Sequence, residues 1–114
     1  MKILILGATG FIGKSLVDKF ERLQEYIVFS PSRAELNLLD RENCEKYIDG
    51  LKPDILIYSV VNVNSVEESI RTFYNIISCS RSVGRVIHIG SGAEYNPSKY
   101  TPLMSETADV ESFP

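Results

Sequence analysis

Ile3-Leu4-Ile5-Leu6-Gly7-Ala8-Thr9-Gly10-Phe11-Ile12-Gly13 follows the opening Met1-Lys2 and decides the fold. Four apolar residues in unbroken succession predict a strand buried on both faces. Glycines in the pattern GxxGxxG then break the run. Beyond them Leu16, Val17, Phe20 and Leu23 recur at helical spacing, with Lys14, Asp18, Lys19 and Glu21 on the other side. In a strand-to-helix loop of this kind the first glycine allows a tight turn. The second lets the backbone approach a ligand, and the third lets the helix pack closely on the strand. The open amides and the dipole at the helix N-terminus favour an anion. The segment therefore predicts a site for the pyrophosphate of a dinucleotide. A phosphate-loop nucleotidase would need glycine at the position of Ala8, so Gly13-Lys14-Ser15 is not read that way.

Outward from this segment the pattern repeats. Tyr26–Phe29 predicts a strand stopped by Ser30-Pro31-Ser32, and Leu36–Leu39 a very short one. Asp40 is placed to cap a helix over Arg41–Gly50 whose apolar side carries Cys44, Tyr47 and Ile48, with Gly50 as its C-cap. Ile55–Val61 predicts a strand. Ser65–Ser82 predicts a helix with Val66, Ile70, Phe73, Ile76 and Ile77 on its apolar side, and Phe73, Tyr74 and Tyr47 have core spacing. Arg85–Ile89 predicts another buried strand, with His88 as a core histidine. Strands alternating with helices imply parallel pairing and right-handed crossovers, hence an α/β doubly wound sheet of about five strands in the order 3-2-1-4-5. Residues 1–92 form that unit. Residues 93–114, with Pro97, Pro102 and Pro114, predict an irregular tail.

Composition narrows the function. A chain of 114 residues is one small domain, and 44% hydrophobic with 24% charged residues suits a folded one. A net charge of −3 argues against nucleic acid as the main partner. Cys44 and Cys79 form no CxxC and have only one histidine for company, which predicts reduced thiols in a cytoplasmic protein and no metal cluster. No apolar run is long enough for a bilayer, and Ile3–Leu6 is too short for the core of a signal peptide.

The glycine spacing, together with Arg33-Ala34-Glu35-Leu36-Asn37-Leu38-Leu39-Asp40, Lys52-Pro53-Asp54-Ile55-Leu56-Ile57 and Ile87-His88-Ile89-Gly90-Ser91-Gly92-Ala93-Glu94-Tyr95, resembles the NAD-dependent epimerase/dehydratase family. That family is the extended branch of the short-chain dehydrogenases/reductases. The second of these segments is similar to GDP-fucose synthases. The resemblance implies a Rossmann-like fold, a nicotinamide dinucleotide cofactor, a nucleotide-activated sugar as substrate and a homo-oligomer. It implies cofactor contacts at Gly7, Thr9, Gly10, Phe11, Ile12 and Gly13, at the adenine-side positions Asn37 and Leu38, and at Val60, where the family usually has small alanines.

The family's NAD users carry an acid at the end of the second strand. Here Phe29 is followed by Ser30-Pro31-Ser32-Arg33. Ser30, Ser32 and the fork of Arg33 suit a 2′-phosphate, so NADP is expected over NAD. Ser91 stands at the family's substrate-orienting serine, with Glu94 nearby. Tyr95 and Lys99 have the spacing of the family's catalytic pair, but Pro97 lies between them and the pair comes too soon after Ser91. The ending Glu111-Ser112-Phe113-Pro114 is similar to what precedes the family's tyrosine-bearing helix. The expectation is the dinucleotide-binding part of an NADP-dependent epimerase, dehydratase or reductase, inactive alone. The alternative is a non-catalytic NAD(P)-binding sensor, to which Val60-Val61 and the short Asn62-Val63-Asn64 stretch point. A structural domain that binds nothing is the remaining option.

Overall fold

The computed structural model describes residues 1–60 and 65–90. Its elements are β1 (Lys2–Leu6), α1 (Phe11–Glu21), β2 (Ile27–Phe29), α2 (Arg41–Leu51), β3 (Ile55–Tyr58), α3 (Val66–Ser78) and β4 (Arg85–His88). The strands form one parallel sheet in the order β2-β1-β3-β4. Register aligns Leu4 with Phe29 on one side and Leu56 on the other, and Leu6 with Tyr58, which in turn faces His88. All four strands thus end along one edge of the sheet, with β1 at its centre.

Alternation along β1 and β3 builds a core on each face. Ile3, Ile5 and Ile57 point to one face, where Leu16, Val17 and Phe20 of α1 pack. Leu4, Leu6, Leu56 and Tyr58 point to the other, against Leu36, Cys44 and Ile48 and against Ile76 and Cys79. This is the doubly wound arrangement expected from the alternating pattern.

Several elements depart from the sequence expectation. Leu36–Leu39 is a turn, so the outer strand of the expected order is absent among the described residues. Polar groups there satisfy the backbone locally: the amides of Glu35 and Leu36 donate to the Ser32 carbonyl at 3.1 and 2.9 Å, and the Leu39 amide donates to Asn37 Oδ1 at 3.1 Å. Leu36 still enters the core. Gly50 does not end α2. The helix runs on to Leu51, and Lys52 takes the left-handed cap position at φ 51°. Pro53 disfavours right-handed helix at the residue before it, and Lys2 Nζ donates to the Leu51 carbonyl at 3.0 Å. The third helix is shorter than its pattern. Ser78 Oγ and Ser80 Oγ donate to the carbonyls of Asn75 and Ile76, and α3 stops at Ser78.

The largest departure is burial at the β4 side. The pattern of β4 reads as buried, yet Arg85, Ile87 and His88 are exposed, because among the described residues β4 is an edge strand paired only with β3. His88 is not a core histidine. Its ring lies 5.6 Å from that of Tyr58 and 5.0 Å from that of Phe73. Of the apolar side of α3 only Ile76 is buried, while Val66, Ile70, Phe73, Tyr74 and Ile77 are exposed. Periodicity locates an apolar stripe, but a helix lying along a sheet covers only part of its width.

Cys44 and Cys79 are free and buried. Burial, followed by the charges of Cys79, Asp40 and Glu45, pushes the Cys44 thiol up from 9.0 to about 11. The native thiol therefore keeps its proton where the unfolded chain gives it up, and rising pH favours unfolding between those values. We expect urea unfolding to show about 1 kcal/mol less stability at pH 10 than at pH 8 from this group. Cys44→Val should flatten that part of the slope. An unchanged slope would remove Cys44 as its source.

Candidate dinucleotide site

The site lies where the strands end. Gly7 follows β1 with φ +83°, a conformation L side chains rarely adopt. Its amide neighbour across the loop is Gly10, whose N–H donates to the Gly7 carbonyl at 3.1 Å, and the Lys14 amide donates to the Gly10 carbonyl at 2.9 Å. A Cβ on Gly7 would stand 2.6 Å from the Ser59 carbonyl oxygen, and one on Gly13 would stand 2.0 Å from the Gly7 carbonyl oxygen. Both glycines are thus demanded by the chain's own packing. Gly10 is different: a Cβ there would meet only the Gly7 carbonyl oxygen, at 3.4 Å. Folding leaves room beside Gly10.

The helix that starts in this loop is also unlike the others. Asp40 caps α2 by accepting from the Asn43 amide, and Ser65 caps α3 by accepting from the Glu68 amide. Each of those helices also carries acid in its first turn, Glu42 in α2 and Glu67 and Glu68 in α3. α1 has Gly10 at its N-cap, no side-chain cap bond and no acid in the first turn. Its first amides and its positive dipole end face outward unopposed. Thr9, Gly10, Phe11 and Ile12 are all exposed, Phe11 at 91%. This combination fits the diphosphate of a dinucleotide.

The other expected contacts fall along the same edge. Ser30, Ser32 and Arg33 are exposed after β2, and among the described residues Arg33 makes no ion pair. Asn37 uses its side-chain oxygen to hold the Leu39 amide, and its own amide donates to Asn43 Oδ1 at 2.6 Å. Leu38 is half-buried against the core. Val60 packs on the same core at the end of β3 and joins Tyr58, Val66, Ile70, Phe73 and His88 around an open apolar groove. Ser91 lies outside the described residues, as do Val61, the Asn62–Asn64 stretch, Glu94, Tyr95 and Lys99.

Sequence reasoning missed two residues that shape this edge. Ser59 Oγ donates to the Leu6 carbonyl at 2.7 Å and supports the floor beneath Gly7. Buried Asn75 on α3 donates from Nδ2 to the Leu38 carbonyl at 2.8 Å and ties the Leu36–Leu39 turn to the helix layer. Only the adjacency created by folding identifies them, since Asn75 is far from Leu38 in the chain. Tyr58 is likewise anchored, its hydroxyl 2.9 Å from Thr72 Oγ1, and burial raises its pKa.

Known proteins place this geometry in a family. The sequence profile of the NAD dependent epimerase/dehydratase family matches residues 3–114. GDP-L-colitose synthase of Yersinia pseudotuberculosis is 26% identical over 128 aligned positions, covering 98% of this chain and 41% of that protein. The crystal structure of a GDP-6-OMe-4-keto-L-xylo-heptose reductase from C. jejuni superposes with a TM-score of 0.80 at 22% identity, over 98% of this chain and 34% of that one. A GDP-mannoheptose C4 reductase from Campylobacter jejuni with NADP bound gives 0.77 at 22% identity, over 91% and 34% of the respective chains. This chain therefore spans about two-fifths of the curated relative's length. With its parallel sheet, its glycine loop and a profile match over nearly all of its length, the chain belongs to the NAD dependent epimerase/dehydratase family.

Proposed function

We propose that residues 1–92 are the dinucleotide-binding unit of an NADP-using enzyme that epimerises, dehydrates or reduces a nucleotide-activated sugar. The observation that carries this is the loop in which packing demands glycine at 7 and 13 yet leaves room at 10, at the uncapped N-terminus of α1. The amides of that turn would hold the pyrophosphate. Ser30, Ser32 and Arg33 would hold the 2′-phosphate, and Asn37 and Leu38 would border the adenine. The relatives' names are those of enzymes acting on GDP- or dTDP-linked sugars, and several solved neighbours carry NADP, which supports both the substrate class and the cofactor. When bound, the nicotinamide supplies or accepts a hydride. Ser91 is proposed to orient the substrate oxygen by hydrogen bonding.

Titration of the chain with NADPH and NADH, followed by nicotinamide fluorescence, tests this. NADPH is expected to bind more tightly. Arg33→Ala should weaken NADPH about tenfold or more, as expected for a lost charge-assisted contact, and leave NADH nearly unchanged. Failure of a cooperatively folded chain to bind either nucleotide overturns the proposal. Equal binding of both, untouched by Arg33→Ala, removes Arg33 as the selector.

A further inference from the structure

The sequence places no acid at the end of β2, but the fold brings one there. The chain turns back after Ser32, and both the Ser32 amide and its hydroxyl donate to Glu35 Oε1 at 3.2 Å. The turn is held in place. Its backbone closes on the Ser32 carbonyl, and Leu36, next to Glu35, is buried in the core. The carboxylate's charge reaches further, since with burial it helps raise the pKa of Tyr47. Two of the donors that suit a 2′-phosphate are therefore already occupied by an anion of this chain.

We propose that Glu35 is a specificity-determining residue, which competes with the 2′-phosphate of NADPH for Ser32 and so limits the preference for NADPH over NADH. This rests on the dinucleotide reading of the glycine loop. A phosphate group carries up to two negative charges, so it must either displace the carboxylate from Ser32 or bind beside it against repulsion. Arg33, one residue on, attracts the same phosphate. The selectivity is thus the difference between two opposed charges on one turn. A ribose 2′-hydroxyl meets the opposite situation. It can donate to the carboxylate, so NADH loses nothing by its presence.

Glu35→Gln tests this in the full chain, because the amide oxygen can still accept from Ser32 while the charge is gone. NADPH should bind about three- to tenfold more tightly to Glu35→Gln, with NADH unchanged or weaker, and the gain should shrink at high salt. Adenosine 2′,5′-bisphosphate and adenosine 5′-monophosphate, as competitors, separate the phosphate effect from anything at the nicotinamide end. Only the bisphosphate should gain affinity. Equal change for both nucleotides, or none, overturns the assignment of Glu35. A chain that unfolds cooperatively but binds neither nucleotide, wild type and variant alike, overturns the dinucleotide reading itself and this proposal with it.

Discussion

Gly13→Ala should lower the stability of the chain by about 3 kcal/mol and abolish NADPH binding. The added methyl has nowhere to go. It would lie 2.0 Å from the Gly7 carbonyl oxygen, 2.7 Å from the Gly7 carbonyl carbon and 3.0 Å from Ala8 Cα. All three are backbone atoms, so no rotamer change relieves the clash. α1 would have to lift away from the loop, which breaks its packing of Leu16, Val17 and Phe20 over Ile3, Ile5 and Ile57. Gly10→Ala is the informative partner, because its Cβ meets a single atom at ordinary contact distance. That variant should keep nearly the wild-type urea midpoint and still lose NADPH affinity by an order of magnitude or more. Denaturation and nucleotide titration of both variants check the pair. Undiminished NADPH binding by Gly10→Ala would sink the placement of the pyrophosphate on this loop.

Ile76→Ala should cost about 2–5 kcal/mol, whereas Ile70→Ala, on the same helix, should cost less than about 0.5 kcal/mol. Both isoleucines belong to the apolar stripe of α3. Ile76 is 0% exposed within the core that includes Leu4, Leu56, Cys44 and Ile48. Ile70 is 63% exposed and borders the open groove beside β4. Truncating Ile76 leaves a cavity among side chains that cannot close over it, while truncating Ile70 removes surface that water already reaches. Urea midpoints of the two variants measure the contrast. Comparable losses from both would mean that the outer face of α3 is covered in the protein in solution.

The readings that succeeded rest on local constraints. The unbroken apolar run Ile3–Leu6 does become a strand covered on both faces, because residues alternating to the two sides are apolar alike. Asp40 does cap α2, since its side-chain oxygen serves the Asn43 amide three residues on. The glycine loop opens α1 where its spacing requires. The structure departs from the hydrophobic pattern where local polar groups take up the backbone or where a strand lies at the edge of the sheet. Leu36–Leu39 reads as strand by hydrophobicity, yet Asn37, Asn43 and the Ser32 carbonyl take up its amides. His88 and Ile87 read as core, yet β4 is exposed on the outer side of the described sheet.

By itself, then, the sequence of this chain determined the alternation of strands and helices, the parallel sheet and the position of the glycine turn. These depend on periodicity, capping and the absence of Cβ atoms, all of which act over a few residues. The tertiary structure decided why the loop glycines differ, since Gly7 and Gly13 are crowded by Ser59 and Gly7 while a Cβ on Gly10 would meet only the Gly7 carbonyl oxygen, at contact distance. It also decided which part of the α3 stripe is buried. Steric room and burial are properties of distance in space, and the chain acquires them only when its segments meet.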